Sequence, residues 1–147
     1  LKKAVKELKK SSKIKIIKLS SVYETEPWEV ESKSWFLNLV VKVETGFPPL
    51  QFLDFLEETE KKLGRKSKSD NSPRTVDIDI LFYNDWIFDT PRLIVPHSFL
   101  HKRKFVLVPL AEIEPELEHP LLHRDIKTIL EELEDKAEVK LYQKISD

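Results

Sequence analysis

The chain has 147 residues, 40% of them hydrophobic, which suits one domain around a single core rather than two. Charged residues reach 35%, yet 25 basic side chains against 26 acidic ones leave a net charge of -1, which argues against a nucleic-acid coat or membrane attachment by bulk charge. Cysteine is absent, which excludes disulfides, thiol nucleophiles and cysteine-held metal centres, and two glycines, Gly46 and Gly64, cannot build a glycine-rich phosphate cradle. The apolar runs fall far short of the roughly 20 residues of a membrane helix. No secretory leader is visible. A soluble domain is expected in the cytoplasm, where side chains and metal hold any phosphate.

In chain order, apolar residues at Leu1, Ala4, Val5 and Leu8 recur at helical spacing and predict an amphipathic helix with a lysine-rich outer face. β-branched and aromatic residues over 13–25 predict a strand, and 26–34, with Pro27, a loop. A second strand is expected over 36–44, then a strong helix over 50–63 closed by Gly64. The basic, unpatterned stretch 65–73 reads as a surface loop and candidate lid. It leads into Thr75-Val76-Asp77-Ile78-Asp79-Ile80-Leu81-Phe82-Tyr83, the clearest strand, with Asn84-Asp85 as a hairpin turn into 86–88. Helices are expected over 105–113 and 126–133, and a closing strand over 136–144. The fold class expected is α+β, one antiparallel sheet with helices packed mainly on one face.

Asp77 and Asp79 carry the chemistry. On a strand, residues two apart share a face, so both carboxylates project together while Val76, Ile78 and Ile80 turn inward. Paired carboxylates repel unless a cation lies between them, and hard oxygen ligands used sparingly suit magnesium held with nucleotide phosphate. The same pair reads equally as one wet strand face. Cations flank it on both sides: Arg65, Lys66, Lys68 and Arg74 upstream; Arg92, His97, Lys102, Arg103 and Lys104 downstream. That is an arrangement for phosphoryl transfer without a glycine cradle. His97 and His101 lack the pattern of a zinc pair, and His101, His119 and His123 have no evident partner. Thr25, Trp28, Trp35, Phe36 and Asn38, with Phe105, read either as core aromatics or as a clamp for a flat heterocycle.

The runs Ser20-Ser21-Val22-Tyr23-Glu24-Thr25-Glu26-Pro27, Phe36-Leu37-Asn38, Leu63-Gly64-Arg65, Pro73-Arg74-Thr75-Val76-Asp77-Ile78-Asp79-Ile80-Leu81 and Val95-Pro96-His97, with Arg103 and Phe105, resemble the 6-hydroxymethyl-7,8-dihydropterin pyrophosphokinases of folate biosynthesis. The resemblance extends from the first helix to about residue 133. It implies a ferredoxin-like fold, transfer of diphosphate from ATP to the pterin hydroxymethyl oxygen, and two magnesium ions. By position, Asp77 and Asp79 would hold the metal, with Arg74 and Arg65 also catalytic. Glu60, Arg74, Arg92, His97 and Arg103 would meet ATP, and Thr25, Trp28, Phe36, Asn38 and Phe105 the pterin. The implied protein acts on small molecules as a monomer, without nucleic acid or membrane.

Three positions depart from the family pattern: Ser67 replaces a second arginine, Ser72 a glycine before the proline, and Glu29 a glycine after the tryptophan step. The family's first strand and its turn are expected before Leu1, so residues 1–147 read as a single pyrophosphokinase domain lacking that strand. A magnesium-dependent nucleotidyltransferase remains an alternative from the aspartate pair, and a non-catalytic binding module a third reading.

Overall fold

The computed structural model describes residues 1–25, 36–64, 76–135 and 138–144. Its elements are α1 (Lys2–Lys9), β1 (Ile14–Leu19), β2 (Val22–Thr25), β3 (Phe36–Asn38), β4 (Val41–Thr45), α2 (Pro49–Lys62), β5 (Phe88–Asp89), β6 (Ile94–Val95), α3 (Lys104–Ile113), α4 (Ile126–Glu132) and β7 (Val139–Gln143). A single 3₁₀ turn, Leu100–Lys102, precedes α3. The class is α+β, and the described strands pair antiparallel, in three sheets ordered β1-β4, β3-β2-β7 and β5-β6 rather than the one expected.

The two long strands expected over 13–25 and 36–44 are each broken in two. β1 pairs with β4 in register Ile14↔Thr45, while β2 pairs with β3 in register Thr25↔Phe36 and, on its other edge, with β7. The break has a chemical cause at Ser20. Its N–H donates to the Val40 carbonyl at 2.9 Å, but the Val40 N–H donates to the Ser20 hydroxyl at 2.8 Å rather than to backbone. A side-chain oxygen thus stands in for a ladder acceptor. The chain bends there, and the next residue, Ser21, is tied to α3: the Glu112 carboxylate accepts from the Ser21 N–H at 2.9 Å, the Ser21 hydroxyl at 2.9 Å and the Tyr23 hydroxyl at 2.7 Å.

α2 follows the sequence pattern closely. Pro49 opens it at a position that needs no N–H, and Gly64, at φ +105, takes the left-handed conformation just past its end. It buries Phe52, Leu53 and Leu56 with Leu8 of α1, Ile14 of β1 and Ile80, Leu93 and Val95. A second core gathers Leu100, Leu107, Leu110, Ile126 and Ile129 from the 3₁₀ turn, α3 and α4. α1 and α2 therefore cover the β1–β4 pair, while α3 and α4 build their own layer against Val40, Leu81 and Phe82.

The segment expected to be the clearest strand, 75–83, forms no ladder among its described residues. Along 76–80 exposure alternates as a strand's would, with Asp77 and Asp79 exposed and Ile80 buried. Its hydrogen bonds go elsewhere: the Ile78 N–H to a side chain of α2, and the Leu81 carbonyl to the His97 N–H at 2.9 Å. Alternation reports which side faces a core; it does not supply a neighbouring strand. The turn at Asn84 is real, with φ 52 and the Trp86 N–H on the Tyr83 carbonyl at 3.1 Å. The hairpin partner differs from expectation, since Phe88–Asp89 pairs with Ile94–Val95 instead of with the preceding segment. Thr90 ties that hairpin, its hydroxyl bonding both the N–H and the carbonyl of Leu93.

His119, unassigned by its sequence, organises the α3–α4 connection. It is buried, and its Nδ1 accepts from the Leu121 and Leu122 N–H groups at 3.2 and 3.1 Å. Burial, with His101 and His123 nearby, holds its pKa below the usual histidine value.

Candidate active site

A cleft of about 380 Å³ opens between α2, the 76–82 segment and the β5–β6 hairpin. Leu53, Ile78, Ile80 and Leu93 supply apolar walls, and Asp79, Glu57, Arg92 and His97 supply charge and hydrogen-bonding capacity. Asp77 lies two residues from Asp79 on the same exposed side of the segment. Asp79 thus shares the cleft with two candidate phosphate-binding residues from further along the chain. The folding reason is local: Ile78 and Ile80 anchor the segment in the first core, which leaves the alternating Asp77 and Asp79 facing out.

Glu60 sits beneath this segment rather than on the cleft wall. It is only 1% exposed, and its Oε2 accepts from the Ile78 N–H at 2.9 Å. Its carboxylate therefore fixes the residue lying between the two aspartates.

Arg92 is held from α2. Its Nη2 donates to Asp54 Oδ1 at 2.7 Å and lies 3.5 Å from Glu57 Oε1. The Asp54 hydrogen bond, followed by that residue's charge, raises the guanidinium pKa further above its already high value. Arg103 packs against two aromatic faces, its guanidinium carbon 5.6 Å from the Phe99 ring centre and 5.7 Å from that of Phe105. Phe99 lines the cleft; Phe105 opens α3. Arg103 thereby connects the cleft to the second expected subsite.

In that second subsite Asn38 Nδ2 lies 3.4 Å from Thr25 Oγ1, across the β2–β3 pair. Thr25 is buried, Phe36 is 53% exposed, and α3 packs against both strands. Phe36 and Phe105 make no ring contact with one another among the described residues. Trp28, Arg65 and Arg74, with Trp35, Lys66, Ser67 and Lys68, lie outside the described residues, as does the candidate lid. Asp54, Glu57, Phe99 and Glu112 were not singled out by the sequence. For Asp54 and Glu57 a signal existed, since acidic residues three apart share a helix face.

The carboxylate pair also bears on metal binding. No group of three or more histidine, cysteine, aspartate or glutamate side chains gathers as a metal site among the described residues. Two exposed carboxylates beside cationic side chains suit a hard ion that keeps most of its coordination for water and phosphate. The donor set therefore fits magnesium.

An antiparallel α+β chain whose cleft sets an aspartate against an arginine and a histidine has the make-up of a small enzyme that acts on anionic substrates. Residues 1–115 match the 7,8-dihydro-6-hydroxymethylpterin-pyrophosphokinase family, and the chain belongs to that family. It is 43% identical to the 2-amino-4-hydroxy-6-hydroxymethyldihydropteridine pyrophosphokinase of Aquifex aeolicus (strain VF5) over 114 residues, 78% of this chain and 71% of that protein. With the protein of the same name from Bacillus subtilis (strain 168) it shares 40% over 118 residues, 80% of this chain and 71% of the relative. The folic acid synthesis protein fol1 of Schizosaccharomyces pombe is 34% identical over 139 residues, 95% of this chain but 19% of that longer protein.

Proposed function

We propose that the protein transfers diphosphate from ATP to the hydroxymethyl group of 6-hydroxymethyl-7,8-dihydropterin, giving AMP and the pterin diphosphate, a step of folate biosynthesis. Family membership and the names of the relatives support this reading. The structural observation that carries it is the exposed pair Asp77 and Asp79, of which Asp79 lines a cleft with Arg92 and His97. We take residues 1–147 as a single pyrophosphokinase domain, supported by the pairing of β7 with β2 and the packing of α4 on α3. It is read as a cytoplasmic monomer acting on small molecules. No helix among the described residues is long and apolar enough to cross a membrane.

The chemistry required is positioning and charge neutralisation. Arg92 and His97 offer N–H donors to the triphosphate from the hairpin side, and Arg103 from the start of α3. Asp77 and Asp79 would hold two magnesium ions, which when bound neutralise phosphate oxygens. Asn38 retains a carbonyl oxygen and one amide proton for the pterin edge after its contact with Thr25, and Phe36 and Phe105 offer ring faces. Asp79 is suited to polarise the attacking hydroxyl, drawing its proton as the oxygen approaches the β-phosphorus. Trp28, Arg65 and Arg74 complete the proposed set.

Adenylyl transfer with loss of diphosphate, open from the aspartate pair alone, has no support from the family or the relatives. Chromatography of the nucleotide products, with magnesium, ATP and the reduced hydroxymethylpterin, separates the two: free AMP is expected, and diphosphate released with AMP on the acceptor would refute it.

A further inference from the structure

We infer that Asp54, one helical turn before Glu57 on α2, is a positioning residue that presets Arg92 for a nucleotide's phosphate chain. The inference rests on the reading that Arg92 meets that chain.

Three observations support it. First, the backbone of Arg92 is already fixed. It lies in the turn of the β5–β6 hairpin, where the Thr90 N–H donates to the Leu93 carbonyl at 3.0 Å and the Thr90 hydroxyl bonds Leu93 twice more. Leu93, the next residue, is 6% exposed and packs in the same core as Leu53. Only the side-chain torsions of Arg92 remain free to wander.

Second, those torsions are restrained from a rigid element. Leu53 and Leu56 bury one face of α2, and this holds Asp54 and Glu57 at fixed places beside the cleft. Asp54 takes Nη2 at 2.7 Å, with Glu57 3.5 Å from the same nitrogen. Nε and Nη1 make no hydrogen bond among the described residues, so two edges of the planar fork stay available to a ligand.

Third, the geometry separates the two carboxylates by task. Glu57 lines the cleft while Asp54 does not. Asp54 can therefore orient Arg92 from outside without presenting its own charge to the phosphates. A long cationic side chain ordered beforehand loses less conformational freedom when the anion arrives. The exposed pair itself contributes little to folding stability, so its consequence lies in binding.

The test is a kinetic cycle of Asp54→Ala, Arg92→Ala and the double variant. KM for ATP and kcat are measured at saturating pterin, and the affinity for an unreactive ATP analogue with magnesium by calorimetry. Asp54→Ala is expected to raise KM and weaken analogue binding by roughly two- to tenfold, the range for one freed side chain, with kcat little altered. In the Arg92→Ala background the same substitution should add nothing, and Asp54→Glu should recover most of the affinity. An unchanged or lowered KM for Asp54→Ala, or the same factor persisting without Arg92, overturns the inference. If Arg92→Ala itself leaves ATP affinity intact, the placement of Arg92 at the phosphates fails, and with it this role for Asp54.

Discussion

Glu60 Oε2 accepts the Ile78 N–H at 2.9 Å, so a buried carboxylate of α2 holds the residue that separates the two aspartates. Glu60→Ala would leave that amide without its partner, a loss of about 1–3 kcal/mol. The melting point should fall by several degrees, and turnover should fall with it because Asp77 and Asp79 lose their support. Glu60→Gln keeps a carbonyl acceptor and should cost less on both counts. Thermal melts paired with AMP release check this; Glu60→Ala with wild-type turnover would detach Glu60 from the site.

Asn38 should matter for one substrate only. Its amide lies 3.4 Å from Thr25 Oγ1 on the β2–β3 pair, and neither strand contributes a residue to the lining of the cleft. If Asn38 bonds the pterin edge as proposed, Asn38→Ala is expected to cost about 1.4 kcal/mol, a tenfold rise in the pterin KM. The KM for ATP should change much less. Equal losses for both substrates would remove Asn38 from the pterin subsite.

The Glu112 anchor sets a pH dependence of stability. Burial pushes its pKa up, but hydrogen bonds from Tyr23 and Ser21 outweigh that and leave it below the ordinary 4.5. A depressed carboxylate pKa stabilises the fold above the unfolded value, and that contribution fades as pH falls from about 4.5 through the folded value. Tyr23 behaves oppositely: burial and the Glu112 carboxylate push its pKa up to about 12, so its contribution is present below pH 10 and lost above it. Urea unfolding should show Glu112→Gln less stable than wild type at pH 7, with the gap narrowing by pH 3. A constant gap would contradict the assignment.

α1 and α2 were readable because each carries its core face at helical spacing, and Gly64 marks the end of α2. The strands within 14–25, 36–45 and 139–143 were readable too, but not their continuity. The break at Ser20 depends on a hydroxyl meeting Val40, twenty residues away, which no local pattern encodes. For 76–82 the alternation correctly identified the exposed sides of Asp77 and Asp79, whereas ladder formation depends on a partner that local sequence does not specify. The site residues could be named from motif and resemblance. The partner that Asp54 finds in Arg92, and those that Glu112 finds in Ser21 and Tyr23, could not, since surface acids acquire meaning only from what the fold sets against them.

The account turns on Asp77 and Asp79 gripping divalent ions beside bound nucleotide. Crystals grown with manganese, an unreactive ATP analogue and the reduced pterin give the most direct measurement, through anomalous density at this pair. The account predicts peaks about 2.1 Å from carboxylate oxygens of both aspartates, as hard-cation coordination requires, and their loss in Asp77→Ala with Asp79→Ala. Nucleotide bound in the cleft with no metal density at the pair would contradict it.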